Sequence, residues 1–427
     1  MRILVIGSGG REHAIVHSLA QSPRVDAIFA APGNGGTASE RVTTNVVLDS
    51  ADSAAVIAFA RDNAITLAVI GPEVPLVAGL ADDLRAAGIS TFGPGAAGAL
   101  LEGSKSFSKD LMERAGIPTA ASRTFTEREP ALDYLSRVGV PVVVKADGLA
   151  AGKGVTVATE LAHVIAAVEE CFDGRFGAAG AKVVIEELLE GPEVSLLAFV
   201  DGLTVMPMAP AQDHKRAFDG DSGPNTGGMG VYSPVPGIPI ADYARMVEIL
   251  EQTARALHRE GIDFRGVLYG GFMLTEKGPQ VLEYNTRFGD PETQVLLPRL
   301  QNDLAEVLQA VADGELESFG ALSWSDDVVV SVVMASGGYP GDYETGKPIT
   351  GIADAEKTPG VIVYHAGTTL AEDGTLLSAG GRVLNVTAFG TDYRDAIDKA
   401  YAAVAAISFP GAFHRNDIAH RALEGTN

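Results

Sequence analysis

The sequence predicts an α/β protein whose N-terminal unit is a doubly wound parallel sheet. Two observations support this: short apolar runs alternate with helical segments over residues 1–102, and the first run ends in a glycine-rich turn at residues 7–10. Strands that alternate with helices are typical of parallel sheets covered by helices on both faces. Because 427 residues exceed what one core usually supports, we expect further domains.

Four apolar runs of the first unit have the length and composition of strands. They are residues 2–6, 25–30, 66–70 and 89–92, and residues 11–21 are predicted to form the first helix.

The second unit, residues 103–325, is predicted to combine two groups of strands with long helices. Helices are expected at 104–115 and 243–259, strands at 141–145 and 182–186, a strand pair within 194–209, and a hairpin of 266–274 with 279–284. Residues 212–230 show no periodicity and are expected to lack regular structure. Their cationic head at 212–216 favours a functional role over disorder.

The last unit, residues 326–427, is predicted to be small and rich in strands. Apolar runs at 328–336, 360–367 and 382–390 indicate strands, and a helix is expected at 393–407. The sequence leaves open whether this unit braces the sheet or completes a nucleotide pocket.

The chain is strongly acidic, with a formal net charge of −23. Such acidity disfavours binding to nucleic acid or anionic membranes, so phosphate substrates would need locally gathered cations. No apolar run approaches the ~20 residues that span a bilayer, and the N-terminus lacks the regions of a signal peptide. We therefore expect a cytoplasmic protein without nucleic-acid or membrane partners.

The single cysteine, Cys171, excludes an internal disulfide and a multi-thiolate metal site. It follows a helical pattern, and no His or Asn beside it suggests a nucleophile. A buried bystander is the favoured interpretation.

The glycine turn after the first strand predicts a phosphate site. Glycines allow close approach of an anion, and the following helix presents free N–H groups to it. A nicotinamide dinucleotide site is disfavoured because Glu12 replaces the third glycine of the motif, and no carboxylate for a ribose follows the second strand. A tight turn that packs helix on strand remains the alternative. Residues 71–73 and 93–95 end later strands of this sheet, where such sheets bind ligands.

The run at residues 148–154 resembles a Walker A loop but has one residue too few and leads into a strand. It is predicted to be a glycine-rich turn between two strands that closes over nucleotide phosphates, with a flexible surface hairpin as the alternative. Lys145 ends the preceding strand, where its ammonium should be partly buried and should need an anion.

Glu283 and Asn285 lie two residues apart on a predicted strand and so present two oxygen ligands on one face. This arrangement suits Mg²⁺, which takes a few protein oxygens plus phosphates and water. Arg287, Asp290 and Glu292 follow at once. Surface salt bridges are the alternative interpretation.

Nine runs together resemble the glycinamide ribonucleotide synthetase (phosphoribosylamine–glycine ligase) family of ATP-grasp enzymes. Along the chain they are VIGSGGREHA, APGNGGT, IGPEVPLVAGL, FGP, EGSKSFSK, VVKADGLAAGKGV, EELLEGPEVS, QDHKRAFDGDSGPNTGGMG and LEYNTRFGDPETQ. The QDHKR, PNTGGMG and RFGDPETQ runs separate this family from other ATP-grasp ligases.

The resemblance implies a doubly wound N-terminal domain (1–102), a two-part ATP-grasp domain (103–325) with a mobile lid (119–192), and a small strand-rich C-terminal domain (326–427). The implied ATP contacts are Lys105, Lys145, Gly148, Gly152, Lys153, Gly154, Glu186, Glu187, Leu188 and Glu193. Glu283 and Asn285 match the family's ligands for Mg²⁺ or Mn²⁺. Many relatives add a third acid on the neighbouring strand, where this chain has Gly270 and Gly271.

The implied reaction of de novo purine synthesis joins glycine to 5-phosphoribosylamine through glycyl phosphate and gives glycinamide ribonucleotide, ADP and phosphate. Lys145 and Arg287 would neutralise the transferring group, and Asp213 or Asp290 would hold the glycine ammonium. The expected substrate contacts are Gly9, Gly10, Arg11, Glu12, Pro72, Glu73, Lys215 and Arg287, with residues 9–12 on the sugar phosphate. The protein is expected to act as a monomer.

Three other functions compete with this one. Another ATP-grasp ligase, such as a carboxylase, would share the nucleotide site and differ in its acceptor. A nicotinamide-dependent oxidoreductase is opposed by the missing third glycine. A non-catalytic nucleotide-binding regulator is disfavoured because both lysines and both metal ligands are present.

Overall fold

The fold was analysed in a computed structural model, which describes residues 1–149 and 154–424. The predictions for Gly152 and Lys153 therefore lie outside the described residues.

The N-terminal unit is a parallel sheet with helices on both faces, as predicted. Its strands, in the spatial order β3-β2-β1-β4-β5, are β1 (Arg2–Gly7), β2 (Ala27–Pro32), β3 (Thr43–Asn45), β4 (Leu67–Ile70) and β5 (Thr91–Phe92). Its helices are α1 (Gly10–Gln21), α2 (Ser53–Asp62), α3 (Glu73–Val77), α4 (Leu80–Ala86) and α5 (Ala96–Gly103). The strand β3 was not predicted, because its sequence Thr-Thr-Asn contains no apolar residue.

One face of this sheet packs against the central part of the chain and forms a shared core. Phe92 of β5 stacks on Phe288, with ring centroids 5.7 Å apart, and both rings contact Phe199. The carboxyl ends of β1 and β4 therefore face the central unit across a cleft.

A small antiparallel sheet with two helices forms the predicted lid region. The sheet order is β6-β9-β7-β8. The strands are β6 (Ser122–Phe125), β7 (Val142–Ala146), β8 (Val155–Ala158) and β9 (Val183–Glu187), and helix α6 (Lys105–Ala115) precedes α7 (Arg128–Val138) and α8 (Leu161–Phe172). Residues 147–154 join β7 to β8, which pair antiparallel. The predicted strands on both sides of the glycine-rich run are confirmed, and residues 150–153 of the predicted turn lie outside the described residues.

The body of the central unit is an antiparallel sheet in the order β11-β10-β16-β17, packed on helix α9 (Ile240–Arg259). The strands of this region are β10 (Glu193–Asp201), β11 (Thr204–Pro207), β12 (Gln212–Asp213), β13 (Arg216–Phe218), β14 (Ser222–Asn225), β15 (Gly230–Ser233), β16 (Arg265–Thr275) and β17 (Gly278–Asn285). Helices α10 (Thr293–Leu296), α11 (Leu304–Asp313) and α12 (Leu316–Phe319) follow. The predicted strand pair and hairpin are confirmed.

The prediction that residues 212–230 lack regular structure is wrong. The strands β12, β13 and β14 lie there, and β13 pairs with β14 as a hairpin. These strands are two to four residues long, and most of the hairpin is exposed or half-buried. Neither strand therefore carries the alternating apolar pattern of a half-buried sheet.

The C-terminal unit is an antiparallel sheet in the order β12-β15-β18-β22-β19, with β23 paired to β18. Its own strands are β18 (Val328–Ser336), β19 (Val361–His365), β20 (Thr368–Leu370), β21 (Leu376–Ser378), β22 (Arg382–Gly390) and β23 (Ala412–Phe413). Its helices are α13 (Ile352–Ala355), α14 (Tyr393–Ala406) and α15 (His420–Glu424). Because β12 and β15 complete this sheet, residues 212–233 join the central unit to the C-terminal unit. Within the described ranges, no helix has the length and apolarity of a membrane span.

Cys171 lies in the lid core, with a relative exposure of 3%, and burial raises the pKa of its thiol to about 11. The thiol is therefore protonated at neutral pH, and a protonated, buried thiol is a poor nucleophile. We expect an aromatic disulfide reagent, followed by absorbance, to label the folded protein slowly and the protein in guanidinium quickly. Rapid stoichiometric labelling of the folded protein would contradict this account.

Candidate active site

The candidate site is a cleft of about 1130 Å³ where the N-terminal sheet, the lid, the central sheet and the C-terminal unit meet. The carboxyl ends of β1 and β4 open into it, as is usual for ligand sites of parallel sheets. Most of the predicted site residues line it. They are Gly9, Arg11, Glu12, Pro72, Glu73, Lys105, Lys145, Gly148, Gly154, Glu186, Glu187, Leu188, Glu193, Asp213, Lys215, Glu283, Asn285, Arg287 and Asp290.

The glycine turn after β1 is closed by its own glutamate. The Glu12 carboxylate accepts hydrogen bonds from the Gly9 N–H (2.6 Å) and from Arg11 Nε (2.6 Å). Glu12 packs where a Cβ on Gly7 or Gly71 would stand, which is why glycines flank it. Glu12 therefore caps α1, and the Gly9 amide is already engaged within the protein.

Gly10 is not among the residues that line the cleft, and its predicted contact with the sugar phosphate stays a prediction. It is buried, and a Cβ at this position would lie 2.5 Å from Asn385 Oδ1 and 2.6 Å from Gln294 Nε2. The glycine is needed because the C-terminal unit and α10 pack closely against the start of α1.

Lys145 is buried, and its ammonium meets an anion, as predicted. Its Nζ lies 2.9 Å from Glu186 Oε2 and donates to the Leu282 carbonyl at 3.1 Å. Glu186 also pairs with Lys109 Nζ at 3.2 Å. Burial lowers the pKa of Lys109 to about 8 despite the raising effect of Glu186. Lys109 was not predicted, and it also lines the cleft.

Gly148 and Gly154, which flank the glycine-rich run, line the cleft, and so do Glu187 and Leu188 at the end of β9. Lys105 Nζ donates to the Gly148 carbonyl at 2.9 Å, which joins α6 to the lid loop. Gly148 has φ +147° and lies against Ala179, a position that requires glycine. Glu187 accepts from the Ala121 N–H at 3.0 Å. Glu193 pairs with Lys215 at 2.8 Å.

Glu283 and Asn285 lie on one face of β17 and both reach the cleft. Burial would raise the pKa of Glu283, but Lys215 and other cations lower it below its ordinary value. Asn285 Oδ1 accepts from Arg287 at 3.1 Å. Gly271 pairs opposite Glu283 on β16, so the position where a third acid was considered holds no side chain.

Arg287 is held between two carboxylates of the N-terminal unit. Its Nη2 lies 2.8 Å from Glu102 Oε1, and its Nε lies 3.6 Å from Glu73 Oε2. Glu102 also accepts from the Thr286 N–H at 2.8 Å. Burial opposes the charge, but Glu102 and Glu73 raise the pKa of Arg287 above its ordinary value. The guanidinium is therefore a permanent positive charge facing the cleft.

An acidic group surrounds Asp213 at the end of β12. Burial raises the pKa of Asp213 to about 7 against the lowering effect of Lys215, and Glu292 and Glu193 raise it further. Glu292 accepts from the Tyr269 hydroxyl at 2.8 Å. In the described part of the chain, no Lys or Arg forms an ion pair with Asp213, so its carboxylate remains available to a cationic ligand.

Asp290 differs from Asp213 because its charge is already neutralised. Arg382 of β22 pairs with it at 3.1 Å, and Gln294 Nε2 donates to it at 2.7 Å. Arg382 also donates to the Asp290 carbonyl at 2.8 Å and to the Gly227 carbonyl. The C-terminal unit contributes Tyr339, Arg382 and Arg421 to the cleft lining, so it completes the cleft at the side of Gly9 and Asp290.

Among the described residues, the charged residues of the cleft lining that were not predicted as site residues are Glu102, Lys109, Arg216, Asp221, Glu292, Arg382 and Arg421. Glu102 and Lys109 stand within the EGSKSFSK run, and Arg382 is the first residue of the strand predicted at 382–390. The partners of Glu102, Lys109 and Arg382, which are Thr286, Glu186 and Asp290, lie 184, 77 and 92 residues away in the sequence. Nothing local in the sequence pairs them.

The sequence matches family models over most of its length. Phosphoribosylglycinamide synthetase N domain matches residues 1–102, the ATP-grasp (A) domain matches residues 103–293, and the C domain matches residues 329–421. A phosphoribosylamine–glycine ligase of Rhizobium meliloti is 54% identical over 424 residues, which cover 99% of each chain.

Two solved structures show how the chain compares in three dimensions. A phosphoribosylamine–glycine ligase from Thermotoga maritima has a TM-score of 0.84 at 33% identity, covering 98% of this chain and 100% of its own. The biotin carboxylase domain of 2-oxoglutarate carboxylase from Hydrogenobacter thermophilus, a complex with MgADP, ADP and bicarbonate, has a TM-score of 0.73 at 16% identity, covering 96% and 91%. The second likeness shows a shared fold.

Proposed function

Because the chain belongs to the phosphoribosylglycinamide synthetase family, we propose that its cleft activates glycine as glycyl phosphate. The chain is an ATP-dependent carbon–nitrogen ligase of purine biosynthesis that acts on glycine. We take 5-phosphoribosylamine as the amine substrate and glycinamide ribonucleotide as the product. The observation that carries the proposal is a cleft lined by cations of all three units, in which Lys105, Lys145, Lys215 and Arg287 act on Glu283 near the end of β17.

The reaction has two displacement steps. A carboxylate oxygen of glycine attacks the γ-phosphorus of ATP, so that an O–P bond forms and the bond to ADP breaks. The amine of the sugar then attacks the carbonyl carbon of glycyl phosphate. A C–N bond forms, the C–O bond to phosphate breaks, and the proton lost by the amine leaves with the phosphate.

Phosphoryl transfer needs mainly positioning and neutralisation of charge. We assign the neutralising role to Lys145 and Arg287, with Lys105 on the nucleotide phosphates. Arg287 suits this role because its partners Glu102 and Glu73 fix the guanidinium at the cleft wall.

Glu283 and Asn285 fit a divalent cation that also binds nucleotide oxygens. The Glu283 carboxylate is ionised among cations, and among the described residues no cluster of three His, Cys, Asp or Glu side chains forms a separate metal cage. When bound with ATP, Mg²⁺ supplies positive charge to the β- and γ-phosphates. Its replacement by Mn²⁺ remains a prediction from the family resemblance.

We assign the glycine ammonium to Asp213 and not to Asp290. Asp290 already faces Arg382 at 3.1 Å, whereas Asp213 is buried without an ion pair in the described part of the chain. A buried carboxylate without a counter-ion gains most from a cationic ligand.

We assign the sugar phosphate to the region of Gly9 and Arg11, with Pro72 and Glu73 beside it. Arg11 supplies the positive charge there, since the Gly9 amide already donates to Glu12. Closure of the lid over this region would exclude the water that hydrolyses an acyl phosphate. That the protein acts as a monomer in the cytoplasm also stays a prediction.

Purified protein with ATP and Mg²⁺ is expected to release ADP when glycine and freshly prepared phosphoribosylamine are present together. The two displacement steps require both substrates for turnover. A coupled assay of ADP, with each substrate omitted in turn, measures this dependence. ADP release with bicarbonate or another carboxylate in place of glycine would overturn the glycine assignment and keep the nucleotide site.

The glycine assignment predicts a pH dependence through Asp213. With a pKa of about 7, this carboxyl is protonated below that pH and ionised above it. Only the ionised form attracts an ammonium, so kcat/KM for glycine should fall about tenfold per pH unit well below 7. Measuring kcat/KM for glycine from about pH 5.5 to about pH 8.5 tests this dependence.

In Asp213→Asn, kcat/KM for glycine should no longer differ between pH values below and above 7. It should be low over the whole range. Asp290→Asn serves as the matched control, since the nearby Arg382 keeps its other contacts. An unchanged profile in Asp213→Asn would refute the assignment.

Replacing Arg287 by Met should lower kcat by about 10²–10³, the usual effect of losing one donor to transition-state charge. Glu102 would then be buried without its partner, which destabilises the fold. We therefore expect Glu102→Gln/Arg287→Met to regain thermal stability without regaining turnover. Recovery of kcat in the double variant would show that Arg287 acts through stability alone.

A further inference from the structure

The Lys109 ammonium lies where the lid joins the body of the central unit. It donates to Thr119 Oγ1 at 2.8 Å and to the Ala120 carbonyl at 3.2 Å, both on the segment that leads into the lid. Its third partner, Glu186 Oε2 at 3.2 Å, lies on β9 just before the chain leaves the lid. The three N–H groups of one ammonium thus contact both connections of the lid.

The Lys109 partners are fixed in turn to β17. Thr119 Oγ1 donates to the Val281 carbonyl at 2.6 Å, and the Val281 N–H donates to the Pro118 carbonyl at 2.9 Å. Two residues beyond Val281, the same strand carries Glu283 into the cleft. The partners of Lys109 are therefore anchored to β17, the strand that also carries Glu283, a predicted metal ligand.

Glu186 has one oxygen in use and one free. Oε2 receives Lys109 and Lys145, whereas Oε1 is buried and has no hydrogen-bond partner in the described part of the chain. The side chain has a relative exposure of 3% and still lines the cleft. A buried carboxylate oxygen without a donor favours a ligand that brings an N–H group.

We propose that Lys109 is a positioning residue, which holds Glu186 Oε2 so that Oε1 accepts the exocyclic 6-amino group of the nucleotide base. The inference rests on the proposed function: a contact of Glu186 with the nucleotide is what the family resemblance implies, and the orienting role of Lys109 is the new element. Lys109 acts by orientation and touches no reacting atom.

Lys145 holds the same oxygen from β7 of the lid sheet, with one contact to the body at the Leu282 carbonyl of β17. Lys109 belongs to α6 outside the lid strands and sets the carboxylate relative to the body. A purine with a 6-amino donor gains from this orientation, and a purine with hydrogen at position 6 does not.

The test compares ATP with purine riboside triphosphate, which lacks the 6-amino group, in wild type and in Lys109→Met. Wild type should prefer ATP in kcat/KM by about 10- to 100-fold, as for one hydrogen bond to a charged group. Lys109→Met should lose most of this preference through a higher KM for ATP, with kcat and the KM for glycine little changed.

Lys182→Met is the matched control, since Lys182 also lies in the lid but is half exposed. It should keep the wild-type preference. Should Lys109→Met fail to fold, Thr119→Val removes one acceptor of the same ammonium at nearly constant volume and should shift the preference in the same direction by less.

The outcomes separate the inference from the function on which it rests. Wild type without glycine-dependent ADP release would refute the proposed function itself. An active wild type whose Lys109→Met variant loses kcat/KM equally for both nucleotides, or keeps the full preference for ATP, would overturn the role of Lys109.

Discussion

Buried cations around the cleft need carboxylate partners, and those partners come from other parts of the chain. At the cleft, Arg287 pairs with Glu102 of the N-terminal unit, Arg382 of the C-terminal unit pairs with Asp290, and Lys109 of α6 pairs with Glu186 of the lid sheet. Removing one partner of a buried pair costs about 3–5 kcal/mol, because the other charge stays buried alone. Charge neutralisation therefore assembles the units as well as the site.

The same pairs prepare the cleft for anionic ligands. A cation without a partner would cost too much to bury, and one whose carboxylate covered it completely would not bind phosphate. Here the carboxylates leave part of the hydrogen-bonding capacity of the cations free for a ligand. Glu73 lies 3.6 Å from Arg287 Nε, beyond a normal hydrogen bond, and that Nε has no hydrogen-bond partner among the described residues. Polar atoms left unpaired at a site wall mark where a ligand completes the network.

The sequence predicts those parts of the fold and site that depend on local pattern. The parallel sheet, the hairpin of β16 with β17, and the burial of Lys145 follow from apolar runs and from residues that stand beside one another in the chain. The strand β3 and the hairpin of β13 with β14 escape prediction because solvent covers much of them and their residues carry no periodic pattern. Their strands form by pairing, β3 with β2 and β13 with β14, without an apolar pattern that marks them in the sequence.

The site divides in the same way. Glu283 and Asn285 are recognisable because two positions apart on a strand share a face. The place of Glu102 and Arg382 depends on partners distant in sequence, which no spacing rule supplies. Glu12 shows that position in a motif can also mislead. It stands in a glycine motif that suggests a ligand contact, yet its carboxylate accepts from the Gly9 N–H and completes the turn.

The acidity of the chain and its cationic cleft are consistent with each other. A net charge of −23 opposes the approach of polyanions such as nucleic acid, while it leaves a small nucleotide free to enter a local region of opposite sign. Because the positive charges lie inside the cleft, a ligand must be small enough to reach them past the acidic surface. Selection for a small phosphate ligand therefore begins with the distribution of charge, before any single residue of the cleft makes contact.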